Sequence, residues 1–357
     1  MASPPIPEQS NLDPTPESVF FGRRRFVKNL IYGGVVAGCW GTLGYRAAQG
    51  LTGRDRALRP GLDRPDVLRR FPATANPDFG SLPPGAHELT DELAAGTHNN
   101  FYEFIPGGGG PVYRFVDDFI VDPWAVVVTG EVHKPRTFGL EDLFKFEQEE
   151  RIYRFRCVET WAMVVPWTGF PLRKLLKAVE PKSSARHVRF ITANRRDQMP
   201  GMDRSIREHH GYQWPYHEGL RIDEALNDLT LLATGVYGRP LPKQHGAPVR
   251  LVVPWKYGYK SPKSIVRIEL VREQPPTFWA FGPYKHEYGY LSNVNPNIPH
   301  PRWSQATDHM LTRGASPRSG PSRKTEIFNG YGKHVAQLYP NEPKRPQQPL
   351  RPGQVAR

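Results

Sequence analysis

Cys157 is the side chain in this sequence that could do the most chemistry. It is one of two cysteines in 357 residues, and it lies between aromatic and basic residues in RIYRFRCVETWAMVVPW, residues 151–167. A thiol in that setting fits four roles: an apolar core residue, a nucleophile, half of a disulfide or a ligand to a metal. The surrounding sequence has to decide among them.

Most standard catalytic motifs are absent from the chain. The sequence has no HExxH, CxxC, CxxCH or GxSxG, and no GxGxxG after a strand. His209 and His210 are adjacent, so their rings cannot easily reach one metal, and we expect a solvated loop there. A closed zinc site needs four protein ligands, which one thiolate cannot supply.

The N-terminal segment bears on whether the two cysteines can pair. RRRFVK (residues 23–28), followed by a short apolar run to residue 44, resembles a twin-arginine export signal. We therefore predict a signal segment over residues 1–48 and a periplasmic location. Retention through an uncleaved signal or a lipidated Cys39 stays an alternative. With Cys39 in the signal, the exported domain keeps Cys157 alone and has no internal disulfide.

The charge of the chain favours anionic ligands. The formal net charge is +13 and the isoelectric point is about 9.7. No basic helix, zinc-finger spacing or aromatic RNA-binding pattern accompanies this charge, so we predict a diffuse basic surface and no nucleic-acid partner.

Periodicity predicts an α+β protein with a mixed β core and flanking helices. RIYRFRCV alternates, which places Tyr153, Phe155 and Cys157 on one side of a strand. PLRKLLKAVEP (residues 171–181) is typical of an amphipathic helix between two prolines. Residues 49–96 are predicted to form an extended arm with one short helix. The C-terminal extension, residues 311–357, is basic, Pro-rich and low in apolar residues except in TEIFNGYGKHVAQLYP (residues 325–340), and we expect it to be largely disordered.

Four segments together carry a family resemblance. They are THNNFYEF, RCVETWAMVVPWTGFPL, QHGAPVRLVVPWKYGYKSPKSIV and VNPNIPHPRWSQAT. A fifth segment, IFNGYGKHVAQLY, carries a weaker resemblance. In this order they resemble the periplasmic protein-methionine-sulfoxide reductase catalytic subunits, which are molybdenum enzymes of the sulfite oxidase superfamily. The resemblance covers residues 97–310 and implies a sulfite-oxidase-type molybdopterin-binding fold.

The resemblance also implies roles for individual residues. Cys157 would be the thiolate ligand to molybdenum, with two further sulfurs from one molybdopterin and oxygen atoms completing the sphere. One departure concerns position 245, which is His here and often Asn in the family; either side chain can donate a hydrogen bond. The positions that match cofactor-binding stretches are Asn99, Tyr102, Glu103, Thr192, His245, Arg250, Ser261, Pro262 and Lys263.

The implied activity is the reduction of methionine sulfoxide residues in exported proteins by oxygen-atom transfer. The implied partners are the twin-arginine translocase, oxidised protein substrates and a haem-containing membrane subunit that supplies electrons from quinols. We expect the catalytic subunit to be a monomer. Several aromatic residues are candidates for the lining of the substrate pocket, with core packing as the alternative for at least two: Trp161, Trp167, Trp255 and Tyr257.

Two other functions compete with this one. A sulfite-oxidising relative would carry an immunoglobulin-like domain after the cofactor domain, but residues 276–357 lack seven alternating strands. A cofactor-free exported protein that binds anions through its basic face is the second alternative, and metal analysis separates it from both enzymes.

Overall fold

The computed structural model describes residues 58–105, 111–202, 212–282 and 284–345. They belong to one compact unit that begins at Ala57. The predicted signal segment, with Cys39, and the His209–His210 pair lie outside the described residues. No helix in the described part of the chain is long and apolar enough to cross a membrane.

The described chain contains short α-helices and thirteen strands. The helices are α1 (Pro65–Leu68), α2 (Glu92–Thr97), α3 (Leu140–Leu143), α4 (Leu172–Val179), α5 (Ile222–Leu226) and α6 (Gly332–Val335). The strands are β1 (Thr74–Ala75), β2 (Ala125–Gly130), β3 (Arg136–Gly139), β4 (Glu149–Arg156), β5 (Trp161–Pro171), β6 (His187–Thr192), β7 (His217–Arg221), β8 (Leu231–Val236), β9 (Arg239–Pro240), β10 (Arg250–Val252), β11 (Ile265–Val271), β12 (Thr307–Met310) and β13 (Ser322–Lys324).

The larger sheet is built around the β4–β5 hairpin. These two strands pair antiparallel from Glu149↔Gly169 to Arg156↔Ala162, and all eleven residues of β5 are buried. β5 also pairs with β8 and β12, while β1 and β13 extend the sheet at its ends. Both faces of β5 are covered, which explains its continuous apolar sequence. The hairpin ends at residues 157–160, so Cys157 lies where the sheet core meets a turn.

The smaller sheet has the order β3-β2-β11-β6-β7 and packs one face on the core. β2 shows the alternation expected of such a sheet, with Val126 and Val128 buried and their neighbours more exposed. β11 pairs in parallel with β2 and antiparallel with β6, so the sheet is mixed. Mixed sheets with short flanking helices confirm the predicted α+β class.

Helix α4 shows why the apolar pattern of its sequence predicted it correctly. Leu172, Leu175, Leu176 and Val179 are buried along one stripe, because residues three and four apart share a helix face. The chain enters from Pro171 and leaves through Glu180, which has a left-handed conformation.

The N-terminal arm is more structured than an extended segment with one helix. Two helices lie in it, and β1 joins the large sheet by pairing with the start of β4. Thr90 exchanges hydrogen bonds with Val164: its amide donates to the Val164 carbonyl and its hydroxyl accepts from the Val164 amide, both at 2.9 Å. The arm is thus part of the sheet and the core.

The prediction of a largely disordered tail is wrong for residues 311–345. β13 pairs with β12, and five aromatic or apolar side chains of this stretch are buried: Leu311, Phe328, Tyr331, Val335 and Tyr339. Basic and proline residues set the composition, but these few large side chains bury enough surface to order the segment. Among the described residues after 276, only β12 and β13 are strands, which is far fewer than an immunoglobulin-like domain has.

Candidate active site

A cavity opens beside the end of β4. Nine of the ten predicted site residues line it, although they come from four distant stretches of the chain: Asn99, Tyr102, Glu103, Cys157, His245, Arg250, Ser261, Pro262 and Lys263. The tenth, Thr192, ends β6 behind the wall. The fold therefore gathers nine of the ten predicted positions around one space.

Cys157 reaches this cavity from the turn that follows β4. Its residue is only 7% exposed, and two N–H groups approach its sulfur. The Glu159 amide lies 3.4 Å from Sγ, and Asn100 Nδ2 lies 3.8 Å away. Burial, and next the Glu159 carboxylate, raise the pKa of the thiol well above its ordinary value. A cation at the sulfur would reverse this shift, because a metal ion stabilises the thiolate.

Two cations in the cavity wall lack carboxylate partners. The Arg250 guanidinium donates only to backbone carbonyls, those of His245 at 3.0 Å, Leu251 at 3.2 Å and Ser261 at 3.3 Å. Lys263 Nζ donates to the Asn100 carbonyl at 2.5 Å. Within the described chain, no carboxylate lies at ion-pair distance from either group. An anion in the cavity would supply the missing countercharge.

The pKa values of these groups also show that positive charge at the cavity wall lacks a countercharge. Burial lowers the pKa of Arg250 to about 9. Burial, and then repulsion from Arg250, lower the pKa of Lys263 to about 7. His245 is buried beside both cations, and its pKa falls to about 3, so its ring is neutral at physiological pH. A neutral ring can donate from one nitrogen and accept at the other.

Orphaned polar atoms also face the cavity. Both amide atoms of Asn99, and Nδ1 of His245, are buried without a hydrogen-bond partner. Unpaired buried polar groups are costly, so their presence at a cavity wall indicates a ligand that would pair with them. Together with the unpaired cations, they fit a polar, anionic cofactor such as molybdopterin.

The remaining predicted residues support the wall. Thr192 Oγ1 donates to the Tyr216 carbonyl at 3.1 Å and to Oε1 of the buried Glu103 at 3.4 Å. The Ser261 hydroxyl accepts from the Val253 amide at 3.1 Å, and the Pro262 carbonyl accepts from Leu251. Tyr102 packs edge-on against Trp279, with ring centroids 5.7 Å apart. Thr192 therefore does not line the cavity but contacts Glu103, which does.

Only one of the four proposed aromatic lining residues is at the cavity. Trp161 lines it, whereas Trp167 and Trp255 are fully buried in the core and Tyr257 lies elsewhere. The expectation that at least two of the four are core residues is confirmed. Other aromatic side chains form the lining in their place: Tyr216, Tyr259, Trp279 and Tyr288.

Sequence reasoning missed Asn100 and Glu159 as members of the site. Glu159 Oε2 accepts from Asn100 Nδ2 at 3.0 Å and from Trp161 Nε1 at 3.1 Å, beside the cysteine sulfur. The signals were present in the sequence, because Glu159 follows Cys157 by two residues and Asn100 is the second asparagine of HNN. Only the fold shows that these two stretches meet.

The described residues contain no group of three or more His, Cys, Asp or Glu side chains that could hold a metal. Among the described residues that line this cavity, Cys157 is the soft donor, and a metal bound there would need its further donors from a cofactor. This arrangement agrees with the donor set that the resemblance implies.

Comparisons with known proteins decide the family. A family model, the oxidoreductase molybdopterin binding domain, matches residues 112–279. The protein-methionine-sulfoxide reductase catalytic subunit MsrP of Burkholderia mallei is 46% identical over 328 residues, which are 91% of each chain. The chain belongs to the family of protein-methionine-sulfoxide reductase catalytic subunits. It is therefore an oxidoreductase with a molybdopterin-binding domain, and the predicted family is confirmed.

Other family members match as broadly. The catalytic subunit from Ralstonia nicotianae is 46% identical over 82% of this chain and 88% of its own. The one from Pseudomonas syringae pv. tomato is 44% identical over 92% and 93%. The solved sulfane dehydrogenase SoxCD from Paracoccus pantotrophus aligns over 52% of this chain and 46% of its own, at 19% identity. Its TM-score of 0.37 is too low to support an argument.

Proposed function

We propose that this protein reduces methionine sulfoxide residues in exported proteins, with molybdopterin bound in the cavity beside Cys157. One observation carries the proposal: the buried Cys157 thiol shares its cavity with the unpaired cations Arg250 and Lys263 and the orphaned amide of Asn99. A thiol, two cations and unpaired polar groups are what a metal on an anionic organic cofactor needs.

Each residue of the cavity then has a defined task. Cys157 would hold the metal, while Arg250 and Lys263 would hold the anionic part of the cofactor. Asn99 and His245 would pair with its polar atoms. When bound, the molybdenum of molybdopterin supplies the two-electron transfer of an oxygen atom. Reduction of one sulfoxide to a thioether and water consumes two electrons and two protons.

The aromatic lining suits the substrate side chain. A methionine sulfoxide is unbranched and carries one polar oxygen, so the apolar stem can pack on Trp161, Trp279 and Tyr288 while its oxygen reaches the metal side. This supports reduction of residues on flexible protein segments, which can insert a side chain into a cavity. Oxidised proteins of the same compartment are the proposed substrates.

The location and the electron supply are parts of the same proposal. The RRRFVK segment supports export by the twin-arginine translocase to the periplasm. A haem-containing membrane subunit that takes electrons from quinols is the proposed donor. We propose that the catalytic subunit itself is monomeric.

The test replaces Cys157 with serine and measures both molybdenum content and methionine sulfoxide turnover of the protein purified after export. We expect Cys157→Ser to lose most of its molybdenum and at least about a hundredfold in turnover, because serine removes the thiolate. Cys39→Ser is the matched control, because it removes the only other thiol and should keep both properties. Undiminished turnover by Cys157→Ser would refute the ligand assignment.

The choice of substrate is tested on the same preparations. We expect turnover of methionine sulfoxide in an unfolded protein and little turnover of sulfite under matched conditions. A preference for sulfite would favour a sulfite-oxidising enzyme, and a wild-type protein without molybdenum and pterin would favour an anion-binding protein.

A further inference from the structure

The turn that carries Cys157 is held in an unusual way. Residues 157–160 connect β4 to β5, and the Cys157 amide donates to the Trp161 carbonyl at 2.9 Å. Thr160 has φ +77°, a conformation that β-branched residues rarely adopt. A strained backbone conformation of this kind is stable only when contacts with the surrounding structure hold it in place.

The surroundings come from one distant stretch, residues 303–318. Trp303 Nε1 and Gln305 Nε2 both donate to the Val158 carbonyl, at 2.8 and 2.7 Å. Arg318 Nε donates to the Glu159 carbonyl at 3.0 Å. The His309 amide donates to the Thr160 carbonyl at 2.8 Å, where β12 pairs with the start of β5. Three consecutive carbonyls of the turn are thus fixed by this stretch.

The fourth carbonyl is fixed through Arg156. This fully buried arginine donates from Nη1 to the Cys157 carbonyl. Its Nη2 donates to Gln305 Oε1 at 2.9 Å and to the Thr307 carbonyl at 3.3 Å, and its Nε lies 3.5 Å from the buried Asp308 carboxylate. Gln305 therefore bonds at once to the turn and to the arginine that holds the turn.

This arrangement has a direct consequence at the sulfur. The Glu159 amide points at Cys157 Sγ, and the Val158 carbonyl of the same peptide unit accepts from Trp303 and Gln305. Because a trans peptide places its C=O and N–H on opposite sides, tethering this carbonyl presents the N–H group to the sulfur. The stretch lies beyond residue 279, where the match to the molybdopterin-binding domain ends. The site is thus completed by a part of the chain outside that domain.

We infer that residues 303–318 are a positioning element of the active site, with Gln305 as its central positioning residue. The element fixes the 157–160 turn so that Cys157 Sγ faces the cavity and the Glu159 amide faces Sγ. The inference rests on the proposed function in taking Cys157 as the metal ligand, but its structural content can be tested without a metal.

The test measures amide hydrogen exchange by mass spectrometry on the full-length, cofactor-free protein. Gln305→Leu removes both hydrogen bonds of the amide at nearly constant volume. We expect exchange of the peptide covering residues 157–161 to rise about tenfold, because two buried hydrogen bonds that hold it are lost. Peptides covering β8 should exchange as in the wild type.

Matched variants separate a local effect from a general loss of stability. Gln148→Leu makes the same change where the Gln148 amide donates to Phe146 and Leu143 carbonyls at the other end of β4, and it should leave peptide 157–161 unchanged. Arg318→Ala, at an exposed site, should raise exchange of that peptide about threefold. Arg313→Ala is its control, since Arg313 is exposed and makes no hydrogen bond or ion pair within the described residues.

Failure of this inference can be told apart from failure of the proposed function. Unchanged exchange of peptide 157–161 in both Gln305→Leu and Arg318→Ala would overturn the inference, as would an equal rise in peptides covering β8. In the loaded enzyme, we expect Gln305→Leu to retain several-fold less molybdenum. A wild-type protein that binds no molybdenum would defeat the proposed function, yet the exchange comparison on that protein would still decide the inference.

Discussion

At the scale of single residues, the buried cations fall into two groups. Lys256 and Lys260 are paired with the buried carboxylates of Glu224 at 2.7 Å and Glu218 at 2.5 Å. Among the described residues, Arg250 and Lys263 have only backbone carbonyls as hydrogen-bond acceptors. Lys256 and Lys260 have their countercharge within the fold, whereas Arg250 and Lys263 would gain one from the proposed anionic cofactor.

Replacing Lys263 with methionine should separate binding from folding. We expect the variant to retain about tenfold less cofactor, because a charge-assisted contact to its anionic part is lost. Molybdenum and pterin content of the purified protein measure this. Lys256→Met is the contrasting variant, since it leaves the Glu224 carboxylate buried and unpaired and should lower the melting temperature. Equal cofactor content in wild type and Lys263→Met would argue against the role of Lys263.

Lys263→Met should also change how the stability of the cofactor-free protein depends on pH. The folded-state pKa of Lys263 is about 7, below the ordinary value for lysine, so between these values the unfolded chain binds more protons than the folded one. Stability contributed through Lys263 therefore rises as pH increases from 7 to 9. We expect the free energy of unfolding of the wild type to rise over this range relative to Lys263→Met, as measured by urea titration. Parallel curves would contradict the depressed pKa.

At the scale of elements, a tight turn brings two parts of the cavity wall together. A short 3₁₀ helix, Lys243–His245, ends at Gly246, which has φ +96°. A Cβ at Gly246 would lie 2.6 Å from the Cβ of Lys263. Both the backbone conformation and the close approach therefore require glycine at this position.

Gly246→Ala should be far more harmful than the same change at an open site. We expect a loss of about 3 kcal/mol in the free energy of unfolding, from the left-handed backbone plus the clash with Lys263. Gly314→Ala is the control, because Gly314 has φ +73° but nothing within 4 Å of the added Cβ, so only about 1 kcal/mol should be lost. Urea unfolding of both variants measures the difference, and equal losses would show that the contact with Lys263 is unimportant.

The elements themselves could largely be predicted from periodicity. β4 occurs where alternation predicted a strand, and α4 occurs where an apolar stripe predicted a helix. The sequence could not show that both faces of β4 are covered, so that Arg154 and Arg156 are as buried as Tyr153. Arginine suggests a solvated face unless its partners are known, and these partners lie some 150 residues away in the chain.

At the scale of the whole molecule, residues 311–345 of the C-terminal region pack on the larger sheet and the core. The Tyr339 hydroxyl donates to Glu224 Oε1 at 2.5 Å and accepts from Trp255 Nε1 at 2.9 Å. Burial opposes ionisation of Glu224, but Lys256 and Tyr339 hold its pKa below the ordinary value. The end of the described chain therefore completes a buried polar network.

Tyr339→Phe should destabilise the protein by about 1–3 kcal/mol, because it leaves the Glu224 carboxylate and the Trp255 indole each short of a partner. The midpoint of urea unfolding measures this. Tyr284→Phe is the matched control, since the Tyr284 hydroxyl has no hydrogen-bond partner among the described residues and its removal should change little. A similar midpoint for both variants would show that the network does not stabilise the fold.

Composition misled the prediction at this largest scale. The stretch after residue 310 is basic and rich in proline, and such averages indicate disorder. Order comes instead from a few positions, such as Phe328, Tyr331 and Tyr339, whose rings fill places in the core. The residues that line the cavity could be proposed for a different reason: the short segments that contain them resemble a known family, whereas contacts between segments depend on the fold.

The link between Cys157 and residues 303–318 has a consequence for biosynthesis. The ribosome releases the N-terminal part of the chain first, so β4, β5 and the cysteine turn emerge long before Gln305 and Arg318. A nascent chain that has not reached this stretch holds three carbonyls of the turn without their partners. If Cys157 holds the metal as proposed, firm attachment is expected only after the chain has been made as far as Arg318, because the turn then gains these partners.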